Sequence, residues 1–273
     1  LLANLHKSQV FAQPGVVNRD YEGDIKAAGD SVRINAIGPV TVNDYTKNST
    51  SAITVQTLSD AQTLLVINKQ KYFAFQIDDV DAAQQKPKVM DAAMAEAAYA
   101  LSDTADQVVA ALYTDIDTAN TIGDDNTPQV PSTSAGDTAY DHIVDLMVML
   151  DENNVPKTGR FVIIPPWIHG MLQKDDRFVK SGTDSAAATL ANGEIGMAAG
   201  ARILVSNNVA NTAGAKYKII AGHPIAWSFA EQVSKTEAYR SQDAFADVVR
   251  GLHLYGAKVV RSSALALWTA SKT

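Results

Sequence analysis

The pattern of apolar positions predicts two long strands near the start of the chain. In residues 31–42 and 53–67, β-branched side chains recur mostly at every second position, as at Val32 and Ile34, and this period is typical of strands. A polar turn at residues 43–50 separates the two strands, and we call the pair the ribbon. A two-stranded ribbon is only marginally stable in water until another strand or surface covers it. We therefore expect the ribbon to contact a neighbouring molecule.

A long helix is predicted after the ribbon. Residues 88–117 lack Gly and Pro, and apolar residues recur there every three or four positions, which is typical of an amphipathic helix. At ~1.5 Å per residue this helix spans roughly 45 Å and should cross the whole molecule. Asp115 and Asp117 fall at its C-terminal end, where the helix dipole disfavours anions. Either the helix ends earlier, or cations from another segment meet these carboxylates.

Shorter elements make up the rest of the chain. Residues 1–29 are weakly periodic and broken by Gly and Pro, so we expect an extended arm, and the polar residues 121–136 predict a loop or domain boundary. Asp137 is a candidate N-cap for the helix that follows it. The remaining predicted helices cover residues 138–151 and 165–172, and the remaining predicted strands cover residues 72–77, 160–164, 202–206, 217–221, 225–229 and 252–261.

Composition indicates an ordinary globular protein. The 273 residues are 46% hydrophobic, enough for one large domain or two closely packed ones. The absence of cysteine excludes disulfides, thiolate metal sites and cysteine nucleophiles. No apolar run is long enough to cross a bilayer, and the first residues lack the charged and then apolar pattern of a secretory signal peptide. We therefore expect a cytoplasmic origin, and the absent initiator Met indicates processing or a start outside this sequence.

The net charge of −7 is unevenly distributed. Residues 1–137 hold 9 Lys and Arg against 18 Asp and Glu, whereas residues 138–273 hold 14 against 12. This asymmetry suits contact between unlike parts of neighbouring subunits, and an acidic face exposed to solvent explains it equally well. Nucleic-acid binders usually carry a basic stripe, and no Lys/Arg cluster of that kind is present. We therefore expect no sequence-specific binding of DNA or RNA.

The sequence offers little for catalysis or metal binding. The five histidines do not share a ligand spacing such as HxxxH or HExxH, so each is expected to be a surface or locally hydrogen-bonded imidazole. They are His6, His142, His169, His223 and His253. The glycines of GEIGMAAG, Gly193, Gly196 and Gly200, fit neither phosphate-loop spacing and predict a flexible connection. Asp78, Asp79 and Asp81 lack the Gly and Glu of a calcium loop, and we expect a solvated turn.

Four segments carry motifs that are weak evidence individually but occur in a specific order. The motif KYFAFQIDDVD at residues 71–81 leads to the long helix, and residues 160–178 join a buried strand to a Trp-bearing helix. Residues 193–207 lead from GEIG into a strand, and residues 237–261 form returning strands. In this order they resemble the major capsid protein of tailed bacteriophages, the Hong Kong 97 fold, over most of residues 30–265.

The resemblance implies an α+β fold with an extended β-hairpin loop, a spine helix, and peripheral and axial domains. The implied divisions are an N-terminal arm at 1–29, the extended loop at 30–70, the peripheral domain at 71–135 and 231–273 with the spine helix at 88–117, and the axial domain at 136–230. Two departures are Ala201, where such proteins often carry a bulkier residue, and the absence of a long charged helical segment at the N-terminus. The second leaves open whether a scaffold is separate or already cleaved away.

The resemblance also implies a structural protein, without catalytic residues, cofactor or metal, that self-assembles into pentamers and hexamers of an icosahedral virion shell in the host cytoplasm. The expected partners are other copies of the chain, scaffolding, portal and possible decoration proteins, and enclosed double-stranded DNA without sequence-specific binding; no membrane is expected. The candidate subunit-interface residues are Asn43, Asp44, Tyr45, Lys47, Asn48, Arg240 and Arg250.

Two alternatives remain open from the sequence. One keeps the fold in an encapsulin-like compartment or a gene-transfer-agent head, and the other is an α/β enzyme with a site near the segment from Gly193 to Gly200 and His223. Some relatives cross-link a ribbon lysine to an asparagine of a neighbour. We do not expect this of Lys47, because the sequence identifies neither the acceptor nor a catalytic acid.

Overall fold

A computed structural model describes residues 6–7, 9–20, 31–37, 40–44, 47, 55–56, 60–78, 88–132, 137–175, 196–241 and 245–272. Its helices are α1 (Lys88–Ala110), α2 (Ala139–Glu152) and α3 (Pro166–Lys174). Its strands are β1 (Ser31–Ile37), β2 (Asp60–Val66), β3 (Lys69–Asp78), β4 (Thr121–Ile122), β5 (Phe161–Ile164), β6 (Met197–Ala198), β7 (Ala201–Val205), β8 (Asn211–Thr212), β9 (Lys216–Gly222), β10 (Trp227–Arg240), β11 (Ala246–Val259) and β12 (Leu265–Ser271).

The described strands form three sheets. Strands β1 and β2 pair antiparallel, with Ser31 opposite Val66 and Ile37 opposite Asp60. The outer sheet has the order β10-β11-β3 and is antiparallel throughout. The central sheet has the order β4-β12-β9-β5-β7-β6, with β8 also paired to β9. Its β12–β4 and β5–β7 pairs are parallel, so the described chain mixes both kinds of strand pairing.

The main core lies between the central sheet and the helices. All four residues of β5 are buried, because this strand lies between β9 and β7. Helix α2 packs on β12 and β9 and buries Ile143, Leu146 and Leu150. Two prolines begin α3 as the sequence predicts, with Pro165 as N-cap and Pro166 inside the first turn.

The N-terminal segment is more than a peripheral arm. Residues 9–20 form turns and isolated bridges and no helix or strand, but Val10, Phe11, Val16 and Val17 are buried in the main core. The indole of Trp227 donates to the carbonyl of Val16 at 2.5 Å. The four apolar side chains follow no helical or strand period, which is why the sequence did not place them in the core.

The ribbon strands are shorter than predicted. Strand β1 ends at Ile37 and β2 begins at Asp60, whereas the sequence placed strand through residue 42 and from residue 53. Residues 40–42 and 55–56 are described and belong to no strand. Their alternating side chains satisfy the strand period, but that period does not report whether two segments pair.

The long helix also ends earlier than predicted, and a cation from another segment meets one of the two carboxylates, Asp115. Helix α1 ends at Ala110, and residues 111–115 continue as a 3₁₀ turn. The ammonium of Lys258 lies 3.6 Å from the carboxylate of Asp115. The carboxylate of Asp117 accepts from the amide of Ala119 at 3.1 Å and caps the next turn. At ~1.5 Å per residue, the α-helical part spans roughly 35 Å.

Two predicted boundaries were wrong. Thr138, not Asp137, is the N-cap of α2. Its hydroxyl accepts from the backbone amide of Asp141, and the carboxylate of Asp141 accepts from the backbone amide of Thr138. Residues 225–226, the start of the strand predicted at 225–229, belong to a 3₁₀ turn at Pro224–Ala226, and β10 starts at Trp227. The predicted loop at residues 121–136 contributes β4, which pairs with β12.

Strand β12 was not predicted. All seven of its residues are buried, so the polar-to-apolar alternation that identifies a half-exposed strand does not occur there. It pairs with β9 along its full length, from Leu265 opposite Gly222 to Ser271 opposite Lys216. The last strand thus completes a sheet whose other long strands come from residues 136–230, across the predicted domain division, and that division stays a prediction.

Candidate subunit-contact surfaces

The base of the ribbon packs against one face of the outer sheet. Ile34, Leu65 and Ile67 form a small buried cluster with Ala230 of β10 and Leu254 of β11. We call these three side chains the ribbon foot. The cluster is separate from the main core and therefore gives the ribbon its own attachment to the body.

A glycine allows the chain to approach closely at this foot. A Cβ at Gly256 would lie 2.5 Å from the carbonyl oxygen of Val66 and 3.1 Å from the Cα of Ile67. Both are backbone atoms at the junction of β2 and β3. Position 256 therefore requires glycine for the ribbon to sit at its observed distance from β11.

The outer part of the ribbon is exposed. Val42 and Val55 are 93% and 87% exposed, the highest values among the large apolar side chains in the described part of the chain. Of the predicted interface residues, Asn43, Asp44 and Lys47 are exposed and outside any strand. Tyr45 and Asn48 lie outside the described residues. These valines and polar residues offer a surface to a second molecule.

A second exposed surface lies on the outer sheet, beyond the ribbon foot. A groove of about 510 Å³ is lined by Tyr72, Ala74, Glu237, Tyr239, Arg250, Gly251 and Leu252. Tyr72 is 78% exposed. The Arg250 guanidinium donates to one oxygen of Glu237 from Nη2 at 2.7 Å and Nε at 3.1 Å, and its centre is 5.0 Å from the Tyr239 ring. Hydrogen bonding to Glu237 raises the pKa of Arg250.

The two predicted interface arginines therefore have partners within their own sheet. Arg240 donates to Asp247 at 3.3 Å, across the β10–β11 pair. Both arginines are exposed, and both ion pairs join β10 to β11. Their role in a subunit interface remains a prediction.

The opposite face of the outer sheet carries a polar clasp that the sequence did not reveal. Arg19 from the N-terminal segment pairs with Oε1 of Glu231 on β10, and Oε2 of Glu231 lies 3.1 Å from Nε2 of His253 on β11. An ionised carboxylate can only accept, so Nε2 carries the proton. Hydrogen bonds from His253 and then Arg19 lower the pKa of Glu231, and the carboxylate stays charged at neutral pH.

A second buried carboxylate holds the N-terminal segment on α1. Asp106 is fully buried, and its Oδ1 accepts from the backbone amides of Val10 at 2.9 Å and Ala12 at 3.0 Å. Its Oδ2 accepts from the side-chain amide of Asn208 at 3.0 Å. Burial raises the pKa of Asp106, against the opposite effect of these hydrogen bonds. One aspartate thus joins three distant segments.

The sequence held one indication of the buried role of Asp106. It is a charged residue on the apolar face of a predicted helix, between Ala105 and Val109. Nothing in the sequence indicated which residues Arg19, Glu231 and Asp106 pair with. Arg19 and Glu231 are 212 positions apart, and a single sequence does not relate them.

The histidines occupy five separate places. His6 lies 3.0 Å from Glu96, His142 lies 3.1 Å from Asp137, and Nδ1 of His223 accepts from the amide of Ile225 at 3.2 Å. His253 belongs to the clasp. Burial lowers the pKa of His169 and of His223. Within the described part of the chain, no group of three His, Asp or Glu side chains could hold a metal ion.

The glycine-bearing segment shows ordinary turn geometry where it is described. Gly196 precedes β6, and Gly200, at φ +79°, forms the turn between β6 and β7 with Ala199. Gly193, Asp79 and Asp81 lie outside the described residues, as does the side chain of Asp78. None of the described helices is long and apolar enough to cross a membrane.

Comparisons with known proteins agree with this architecture. Residues 63–269 match the family described as phage capsid protein. A structure of Mycobacterium phage Che8 is 32% identical, with a TM-score of 0.82, over 98% of this chain and 93% of that one. The capsid of cyanophage P-SCSP1u is 18% identical, with a TM-score of 0.76, over 100% and 91%. The mature capsid of bacteriophage PhiM1 is 16% identical, with a TM-score of 0.66, over 100% and 93%. None of the curated proteins matches the chain.

Proposed function

The chain belongs to the phage capsid protein family, and we propose that its copies form pentamers and hexamers that close an icosahedral shell. It is a major capsid protein of tailed phages with the Hong Kong 97 fold, a structural component of the virion and not an enzyme. The observation that carries the proposal is the likeness to capsid structures over almost the whole chain, which includes the ribbon as well as the compact body.

The ribbon and the outer-sheet groove are the proposed contact surfaces between subunits. The ribbon foot is attached to its own body, whereas Val42 and Val55 are exposed in the single chain. Covering each such side chain contributes roughly 1.5–3 kcal/mol. In a shell every subunit makes the same contacts, so modest energies add up to a stable assembly. Asn43, Asp44, Tyr45, Lys47, Asn48, Arg240 and Arg250 are proposed to lie in or beside these contacts.

We propose that the shell encloses double-stranded DNA without reading its sequence. The net charge of −7 and the lack of a basic cluster in the sequence support this, because tight phosphate neutralisation would hold the DNA in place. Scaffolding, portal and possible decoration proteins are the further proposed partners, with assembly in the host cytoplasm.

Electron microscopy of the purified chain, alone and co-expressed with its neighbouring genes, tests the proposal. Closed shells or rings with five- and six-fold symmetry are the expected result. Monomers or small dimers under every condition would contradict it. Analytical ultracentrifugation of the same samples gives the mass of each assembly and separates ordered rings from aggregates.

A gene-transfer-agent head is the second candidate, since the capsid of an empty gene-transfer-agent particle shares the fold at 11% identity and a TM-score of 0.60. Sequencing of nuclease-protected DNA from particles distinguishes the two cases. A single viral genome supports the phage head, whereas random host fragments support the transfer agent. Protein cargo without DNA would indicate an encapsulin-like compartment.

A further inference from the structure

Two attachments meet back to back on the outer sheet. Successive residues of a strand point to opposite faces. Ala230 and Leu254 therefore contact the ribbon foot on one face, while their neighbours Glu231 and His253 form the clasp on the other face. The ribbon foot and the N-terminal segment thus hold the same stretch of β10 and β11 from its two sides.

The clasp continues through a chain of contacts to the long helix. Asp106 on α1 accepts from the amide of Ala12, and the carbonyl of Ala12 accepts from Nη1 of Arg19 at 3.4 Å. Nη2 of Arg19 pairs with Glu231, and Glu231 binds His253. The links run from α1 to the N-terminal segment, along that segment from Ala12 to Arg19, and then to β10 and β11.

The backbone of the N-terminal segment is held to β10 just before the clasp. The amide of Asn18 donates to the carbonyl of Trp227 at 3.1 Å, and the amide of Phe229 donates to the carbonyl of Asn18 at 2.9 Å. Among the described residues of this segment, which end at Asp20, Arg19 is the last whose side chain is attached to the sheet. Its guanidinium also lies 5.4 Å from the Phe229 ring.

We propose that Arg19, Glu231 and His253 form a joint that couples the position of the N-terminal segment to the position of the ribbon. The clasp fixes residues 231 and 253, and these fix the orientation of residues 230 and 254, on which the ribbon foot packs. Release of Arg19 from Glu231 loosens the ribbon, and removal of the ribbon foot loosens the N-terminal segment, because coupling between two sites is reciprocal. The inference concerns one subunit and does not depend on shell formation.

Hydrogen–deuterium exchange of the full, unassembled chain tests the coupling. Arg19→Gln and Glu231→Gln remove the charge pair, while Arg19 is partly exposed and its replacement should leave the body folded. We expect amide exchange in β1 and β2 to accelerate roughly tenfold or more, as for loss of a charge-assisted hydrogen bond. Exchange in β9 and β12 of the central sheet should not change.

Glu237→Gln is the matched control. It breaks an ion pair with Arg250 on the same two strands, at the exposed groove on the face opposite the clasp, without touching Arg19, Glu231 or His253. It should leave ribbon exchange unchanged. Equal acceleration in Glu237→Gln, or unchanged ribbon exchange in both Arg19→Gln and Glu231→Gln, would overturn the proposal.

The reverse direction gives a second, independent measurement. Ile34→Ala trims the ribbon foot on the face opposite the clasp. Exchange at the Phe229 amide, which donates to Asn18, should then accelerate as well. If Ile34→Ala changes exchange within β1 and β2 alone, the ribbon foot and clasp are independent attachments and the coupling is wrong.

Discussion

Buried charges in this molecule stabilise specific turns, and Arg160 is the clearest case. Its side chain is 4% exposed and donates to the carbonyl of Val155 at 2.6 Å, to that of Met147 at 3.4 Å and to the carboxylate of Asp151 at 2.6 Å. We expect Arg160→Met to lower the free energy of unfolding by about 2–3 kcal/mol, because two buried carbonyls lose their donor. Urea unfolding followed by tryptophan fluorescence measures the loss.

Lys157→Met provides the comparison for this prediction. Lys157 pairs with the same carboxylate at 3.1 Å, but it is 79% exposed. Water can replace the ammonium at this surface position, so the change should be less than about 1 kcal/mol. Equal losses for the two variants would show that the carbonyl contacts of Arg160 contribute little.

A pH dependence of known sign follows from Asp106. Since burial raises its pKa, the folded state holds this proton more tightly than the unfolded chain. Its contribution to stability is therefore largest below the ordinary aspartate pKa of about 3.9 and is lost as pH rises through the folded-state value. We expect the unfolding free energy of the wild type, minus that of Asp106→Asn, to fall as pH rises above the ordinary aspartate pKa. Chemical denaturation at a series of pH values measures this difference.

Glu231 gives the opposite sign in the same experiment. Its pKa is lowered by His253 and Arg19, so its contribution is present above the ordinary glutamate pKa and is lost as pH falls through the folded-state value. The corresponding difference for Glu231→Gln should rise with pH. Curves of the same sign for the two variants would contradict the assignment of Asp106 as a carboxylate destabilised by burial.

At the scale of elements, two glycines on β11 allow the stability cost of crowding backbone atoms to be compared with the cost of crowding a side chain. A Cβ at Gly256 would meet backbone atoms of Val66 and Ile67, whereas a Cβ at Gly251 would meet the ring of Phe73 at 2.3 Å. A half-buried ring can turn away, but the junction of β2 and β3 can move only with the ribbon. We expect Gly256→Ala to cost about 1–3 kcal/mol and Gly251→Ala clearly less, as measured by thermal unfolding.

Hydrogen exchange locates the effect of Gly256→Ala. Faster exchange in β1 and β2, with β9 unchanged, is the expected result, since the crowding falls under the ribbon foot. If Gly251→Ala is the more damaging variant, Phe73 is held more firmly than its partial exposure suggests.

The elements that the sequence predicts well are those with one exposed face. Helix α2 and helix α3 show their period because buried and exposed side chains alternate along them, and in strand β3 half-buried Phe73, Phe75 and Ile77 alternate with exposed residues. Strand β12 is buried on both faces and shows none. The clasp was also hidden, because Arg19, Glu231 and His253 lie in three segments that pairing in space brings together. Local patterns therefore predict the elements, and tertiary contacts decide the boundaries and the attachments.

At the scale of the whole molecule, we expect one part of the ribbon to serve folding and another part to serve assembly. Its foot belongs to the subunit through Ile34, Leu65 and Ile67. We call residues 43–51 the ribbon tip, and its described residues, Asn43, Asp44 and Lys47, belong to neither core cluster. We expect a chain lacking residues 43–51 to keep the unfolding temperature of the wild type, because no described core contact is lost. The same chain should fail to form closed shells, since the proposed contact with a neighbour is removed. Differential scanning calorimetry and electron microscopy of one preparation measure the two effects.

A chain in which residues 43–51 are replaced by an equally long Gly/Ser segment distinguishes loss of length from loss of side chains. If this chain also fails to assemble, the tip acts through its own side chains, Lys47 and Asn43 among them. If it assembles, the ribbon needs only its reach, and the contact lies nearer to Val42 and Val55. Normal shells from the deleted chain would remove the ribbon tip from the assembly contacts altogether and leave the outer-sheet groove as the surface to test next. A lowered unfolding temperature would instead show that the tip stabilises the subunit, so that folding and assembly are not separate in this chain.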